Sequence, residues 1–232
     1  MNAETLTNAD LAARIQYTNV RPETTRQEMI VHLETALKFN FQAAMISMCW
    51  VPLAQEVLQG SKLKIATCIG LGLGHESLFG KIAMIRECRA LGADEVDYEP
   101  NMGFFLSGMY DEFQEEAVRV VQAADKMTVK AMLELGYIHD DGERRRAARL
   151  LDEAGVPWVK NSSGWGPGSE PASVENIRLL RESVSPRCKV KASGKVNSYE
   201  TAIALLNAGA ELLGTSAGPQ IISRGISENL SY

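Results

Sequence analysis

CKVKASGKVNSYETAIALLNAGAELLGTS, residues 188–216, contains a complete strand–helix–strand unit. CKVKAS (188–193) and ELLGTS (211–216) are short runs of apolar or β-branched residues, the length of a strand. SYETAIALLNAG between them carries the apolar spacing of an amphipathic helix. The helix closes on Asn207-Ala208-Gly209-Ala210, where glycine supplies the left-handed residue that ends a helix before the next strand. The same punctuation recurs at Ala90-Leu91-Gly92-Ala93 and Glu153-Ala154-Gly155-Val156.

Outward from this unit the alternation runs through the whole chain. Further strand candidates are RIQYT (14–18), QAAMISM (42–48), LKIATCI (63–69), DEVDYE (94–99), TVKAMLE (128–134) and PWVKNS (157–162), with helical patterns such as TTRQEMIVHLETALKF and DEFQEEAVRVVQAAD between them. Eight such units in 232 residues average about 29 residues, the size of a βαβ repeat. The length is also near the roughly 250 residues of a (β/α)8 TIM barrel. An open doubly wound sheet would place a glycine-rich phosphate turn after the first strand. RIQYTNVRP is not one, and Gly70-Leu71-Gly72-Leu73-Gly74 has the wrong spacing and follows the third strand. The expected fold is a single (β/α)8 barrel over residues 1–232, with a mobile tail at 226–232, ISENLSY.

Composition excludes several classes. With 45% hydrophobic residues the chain can bury a core, and a net charge of −5 gives no basic footprint for nucleic acid. The one basic run, Arg144-Arg145-Arg146, reads as the solvated face of a helix. No stretch reaches the roughly 18 apolar residues of a membrane span. Four dispersed cysteines and three isolated histidines form neither a disulfide framework nor a ligand spacing. MNAETLTNADLAARI lacks the basic and apolar regions of a signal peptide. The expectation is a cytoplasmic, homo-oligomeric protein with reduced thiols, no metal and no cofactor.

In a (β/α)8 barrel, chemistry sits at the C-terminal strand ends. Asp97, Lys160 and Lys191 are placed there on the fourth, sixth and seventh strands. Alternation puts Trp158, Lys160 and Ser162 on one face and Lys189, Lys191 and Ser193 on one face of the next strand. A single lysine at a strand end most often snorkels to water. Two on adjacent strands, each followed by small residues, are different: burial and a neighbouring cation leave an amine neutral and nucleophilic. Such an amine forms a Schiff base with a carbonyl, and a second ammonium and a carboxylate can move the protons.

Four segments in order resemble the deoxyribose-phosphate aldolase family across residues 15–218: GADEVDYEPNMG, Val159-Lys160-Asn161-Ser162-Ser163-Gly164, VKASGK (190–195) and GTSAG (214–218). FQAAMISMCWVPLAQEVLQGSKLKIATCIGLGLG resembles the family's second and third strands. The resemblance implies that Lys160 forms the imine, that Lys191 tunes it and relays protons, and that Asp97 assists at the carbinolamine. It also implies substrate contacts from Gln16, Thr18, Ser162, Gly164, Gly194, Lys195, Gly214 and Ser216, and proton exchange at the donor carbon by the C-terminal Tyr232. GTSAG before PQIISRG places N–H groups at a short helix N-terminus, suited to an anion.

The chain departs from the family pattern in three places. Gln16 stands where the family has aspartate, Lys195 and Asn197 replace a glycine and an arginine, and GLGLG replaces Gly-Phe-Pro-Leu-Gly. The expected activity is a class I aldolase joining acetaldehyde to glyceraldehyde 3-phosphate. The alternatives are a sister aldolase using an unphosphorylated aldehyde and a non-catalytic binding barrel. A phosphosugar isomerase is disfavoured because no glutamate/histidine pair sits at suitable strand ends.

Overall fold

The computed structural model describes residues 3–225, so the expected roles of the 226–232 tail and of Tyr232 lie outside the described residues. Eight parallel strands close into a barrel in chain order: β1 (Ile15–Asn19), β2 (Ala43–Ser47), β3 (Lys64–Ile69), β4 (Glu95–Tyr98), β5 (Thr128–Met132), β6 (Trp158–Lys160), β7 (Lys189–Ser193) and β8 (Leu212–Thr215). The ring is sealed by β1 against β8, with Gln16 opposite Gly214. This is the (β/α)8 barrel expected from the alternation. Around it run α1 (Asn8–Ala12), α2 (Arg26–Lys38), α3 (Val51–Val57), α4 (Leu78–Ala90), α5 (Met102–Leu106), α6 (Tyr110–Ala124), α7 (Asp141–Glu153), α8 (Val174–Ser183), α9 (Tyr199–Asn207) and α10 (Gly218–Ile222). Among the described residues no helix is long and apolar enough to cross a membrane.

Local sequence sets the helix ends. Thr25 and Glu28 form a capping box on α2, and Ser77, Asp140, Ser173 and Ser198 each accept a backbone N–H at the start of α4, α7, α8 and α9. Gly92, Gly155 and Gly209 take φ of +90°, +85° and +115°. The residue after each donates back across the last turn: Ala93 to Cys88, Val156 to Leu151 and Ala210 to Leu205. Within the arginine run, Arg144 departs from the expected solvated role. Arg144 is half-buried, donating to the Ile138 and Leu135 carbonyls and to Asn176, while Arg145 pairs with Glu182 and Arg146 with Glu143.

The main apolar core lies between barrel and helices. Inside the barrel the apolar cluster is small, built on Val20, Ala43, Met45 and Ala66. Most of the remaining lumen is polar: Gln16, Glu95, Asp97, Lys130, Lys160 and Lys191 are all buried. Barrels of this kind usually fill the lumen with branched aliphatics. A polar lumen holds together only if its charges pair.

A second buried ion pair sits outside the barrel wall. Lys81 on α4 donates to Glu116 on α6 at 2.9 Å and to the Gly74 carbonyl at 2.6 Å; Glu116 also accepts the Asn101 N–H at 2.9 Å. It thereby ties together the loops that leave β3 and β4. Burial already pushes the Glu116 carboxyl above its ordinary range, against the pull of Lys81. Lys81→Met should therefore cost about 3 kcal/mol near pH 8, the scale for stranding one member of a buried pair. As pH falls, Glu116 can take up a proton in the folded variant before the unfolded chain does, so the deficit should shrink toward acid pH. Urea unfolding of both proteins at pH 8 and pH 5 checks the size and the sign.

Candidate active site

Asp97, on β4, is fully buried and faces three lysines. Its Oδ2 accepts from Lys191 Nζ at 2.6 Å and Lys160 Nζ at 3.2 Å, and its Oδ1 lies 3.3 Å from Lys130 Nζ. Lys160 is the last residue of β6 and also reaches Met132 Sδ at 3.6 Å. Lys191 lies in the middle of β7 rather than at its end, so it sits deeper than expected, and it donates to Gln16 Oε1. Below this level Glu95 Oε2 binds Lys130 at 2.6 Å and Gln16 Nε2 at 2.7 Å. Glu95 Oε1 takes Gln42 Nε2 at 2.7 Å and Lys64 Nζ at 2.9 Å. The lumen is one connected network from Lys64 up to Lys160.

The electrostatics follow from burial and pairing. Burial alone would raise the Asp97 carboxyl, but Lys191, Lys130 and Lys160 together hold it well below the usual carboxylate range. Glu95 is likewise brought down to about 2 against its burial, chiefly by Lys130. Burial lowers the Lys191 amine to about 7; Asp97 opposes that shift, and Lys160 and Lys130 reinforce it. Gln16 has a specific part in this. Its amide accepts from Lys191 on one side and donates to Glu95 on the other, whereas a carboxylate there could only accept and would face Glu95.

At the mouth, alternation carries Glu99 above Asp97 and Glu134 above Met132. Glu99 Oε2 accepts the Gly72 N–H at 2.5 Å, and Glu134 Oε1 accepts the Ser163 N–H. Glu134 itself has φ +41°, a left-handed conformation that is costly for a residue with a side chain. Burial, then the Glu134 charge, pushes Glu99 up to about 8. The two loops so anchored touch glycine to glycine: a Cβ on Gly72 would stand 3.0 Å from the Trp165 carbonyl, and one on Gly166 would stand 2.6 Å from that of Gly72.

Thr18 is buried on the inner face of β1, and Ser162 bonds Ser169 and the Gly164 N–H. Gly214 lies against the network: a Cβ there would be 2.2 Å from Ser193 Oγ and 3.1 Å from Lys191 Cε. Gly194 has φ +96°, and an added Cβ would come within 2.9 Å of the Glu170 carbonyl. Lys195 is exposed, holds φ +54° and is not part of the Asp97 cluster. The turn before α10 also differs from an open anion cradle. Ala217 N–H is taken by Thr215 Oγ1 at 2.9 Å, and Pro219 in the first turn has no N–H.

No protein-family model matches the chain. The deoxyribose-phosphate aldolase of Caldanaerobacter subterraneus subsp. tengcongensis is 36% identical over 216 residues, covering 92% of each chain. That of Brevibacillus brevis is 38% identical over 210 residues, covering 90% of this chain and 93% of the relative. The chain belongs to the deoxyribose-phosphate aldolase family. As a deoxyribose-phosphate aldolase family member it is an enzyme, a lyase, and the resemblance read from its four segments holds over the whole barrel. Among solved structures, QR15, an aldolase, is similar with a TM-score of 0.87 at 29% identity, covering 92% of this chain and 95% of that one. A mandelate oxidase variant is similar at 0.62 with 12% identity, covering 90% of this chain and 66% of that one, which shows the fold alone.

Lys130, Glu99 and Glu134 are absent from the expected site. Lys130 carried the same Val-Lys strand pattern as Lys160 and Lys191, in TVKAMLE, and the two glutamates continue the inward periods of β4 and β5. Lys130→Met removes one of the cations that depress Lys191 and leaves Asp97 less neutralised, and both changes favour the Lys191 ammonium. Its titration should move upward from about 7. Lysine ¹⁵N NMR across pH 5–10 reads the shift; an unmoved titration would show that Lys130 and Lys191 are not coupled.

Proposed function

We propose that this family member is a class I aldolase in which Lys160 forms an imine with acetaldehyde. The observation that carries the reading is one buried carboxylate shared by amines from β5, β6 and β7. Lys160 is the amine on the last residue of its strand, whereas Lys191 lies mid-strand and is held by Asp97 and Gln16. Lys160 nitrogen adds to the aldehyde carbon, and the carbinolamine oxygen leaves as water after taking a proton from the Lys191 ammonium. Loss of a proton from the donor methyl gives the enamine. Its carbon attacks the acceptor aldehyde, whose oxygen takes a proton and becomes the new hydroxyl, and water then frees Lys160. An amine titrating near 7 both gives and accepts protons at neutral pH. Asp97, kept ionised, orients the amines rather than serving as the acid. One barrel domain carries these steps, and a cytoplasmic, homo-oligomeric enzyme belongs to the same reading.

The titration of Lys191 favours a second reading, in which Lys191 is the amine that attacks the aldehyde. Borohydride trapping with acetaldehyde separates the two: mass should appear on the peptide containing Val159-Lys160-Asn161. Label on the Lys191 peptide would reverse the roles, and no label would overturn imine chemistry. Lys191→Leu should lower kcat by about 10²–10⁴-fold, the range for a general acid–base, while trapping at Lys160 persists.

In the family's reaction the acceptor is glyceraldehyde 3-phosphate and the product 2-deoxy-D-ribose 5-phosphate. Here the phosphate end is expected to bind weakly, because Lys195 occupies a left-handed position suited to glycine and the Ala217 N–H is already engaged. Lys195→Gly should raise kcat/KM for glyceraldehyde 3-phosphate, leave that for glyceraldehyde unchanged and raise stability by about 1 kcal/mol. A selective fall for the phosphorylated substrate would identify Lys195 as a phosphate ligand instead.

A further inference from the structure

Below the Asp97 level, a closed ring of side-chain hydrogen bonds is built on the Glu95 carboxylate. Gln42 immediately precedes β2, and its backbone N–H donates to the Ile15 carbonyl at 2.9 Å, which roots its side chain beside β1. Gln42 Oε1 accepts one hydrogen of the Gln16 amide at 2.9 Å, and Gln42 Nε2 donates to Glu95 Oε1 at 2.7 Å. The other Gln16 amide hydrogen goes to Glu95 Oε2 at 2.7 Å. The ring runs from Gln16 to Gln42, on to Glu95 and back to Gln16.

Such a ring settles the direction of an amide. The two ends of a glutamine head are close in size, so hydrogen bonds rather than packing choose between them. With both amide hydrogens committed, only the carbonyl oxygen is left for Lys191, and Gln16 Oε1 accepts from Lys191 Nζ. A reversed head would set its oxygen against the Glu95 carboxylate and its N–H groups against the Lys191 ammonium. Gln16 is fully buried, so an amide hydrogen left without its acceptor there is costly.

The other groups that act on the Lys191 charge are Asp97 on β4, Lys130 on β5, Lys160 on β6 and the Cys68 thiol on β3. Burial pushes that thiol up to about 12, so it stays neutral. From β1 the contribution is the uncharged Gln16. An oriented amide oxygen favours the ammonium, though less than a carboxylate would, and adds no charge beside Glu95.

We propose that Gln42 is a positioning residue: it turns the Gln16 carbonyl toward Lys191 and, through Gln16, holds the Lys191 ammonium. Its effect on turnover rests on the aldolase reading, in which that ammonium gives its proton to the carbinolamine.

The test is a double-mutant cycle on the full chain: native enzyme, Gln42→Met, Gln16→Met and the double variant, each followed by lysine ¹⁵N NMR and by kcat against pH. Methionine keeps the length of glutamine without its polar head. Gln16→Met removes the acceptor and should lower the Lys191 titration from about 7 by about one unit, the scale of a hydrogen bond to a charged group. Gln42→Met should lower it by about half a unit when Gln16 is present and leave it unmoved when residue 16 is Met. The alkaline limb of kcat should move down with it, a roughly threefold loss at pH 8. Gln42→Leu should repeat the shift and guards against a packing fault in Gln42→Met. An equal shift in both backgrounds would show Glu95 acting directly on Lys191 and would overturn the positioning role, as would no shift with Gln16 in place. A shifted titration with an unmoved kcat limb would uphold the positioning and overturn proton donation by Lys191 in the reading beneath it.

Discussion

A carboxylate with no access to water, held under three ammonium groups, is the constraint on which this molecule turns. Asp97 would be too costly to bury ionised without Lys191, Lys160 and Lys130, and those lysines would be equally costly without it. Because the charges are mutually required, each strand that carries one has a defined depth in the barrel. Glu95 extends the same logic one layer down, and Gln16 joins the two layers because an amide can donate and accept at once. The network thus combines the roles of lumen packing and reactive centre.

The same arrangement sets the chemistry. Three cations around one anion leave a positive excess in a dry space, which disfavours further protonation and brings Lys191 into the neutral range. Above it, Glu99 and Glu134 each fasten a loop, and those loops meet through glycine where no side chain could fit. The Lys81–Glu116 pair fixes the far side of one loop to the helices. The mouth is therefore shaped by buried polar contacts.

Much of this was legible residue by residue. The strand runs, the glycines that close helices and the Thr/Ser/Asp caps are local features, governed by backbone sterics and by hydrogen bonds a few residues apart. Period-2 alternation also placed Lys160 and Lys191 correctly on inward faces. Lys130 was missed although its strand shows the same pattern, since nothing in TVKAMLE tells an inward lysine from one that reaches water. Glu99 and Glu134 lie past the strand ends, where alternation weakens and loop geometry takes over. Arg144 read as solvated with the rest of its run because its partners, Asn176 and Glu170, come from a later βα unit.

By itself, then, the sequence determined the number and order of the βα units, the closure of each helix and which side chains share a strand face, because these depend on neighbours in the chain. Only the tertiary structure decided which of those side chains meet. β4 and β7 share no hydrogen bonds, yet Asp97 touches Lys191 across the lumen from 94 residues away. Depth and cross-barrel distance are properties of a closed ring, fixed when β1 pairs with β8, and no periodicity along one strand encodes them.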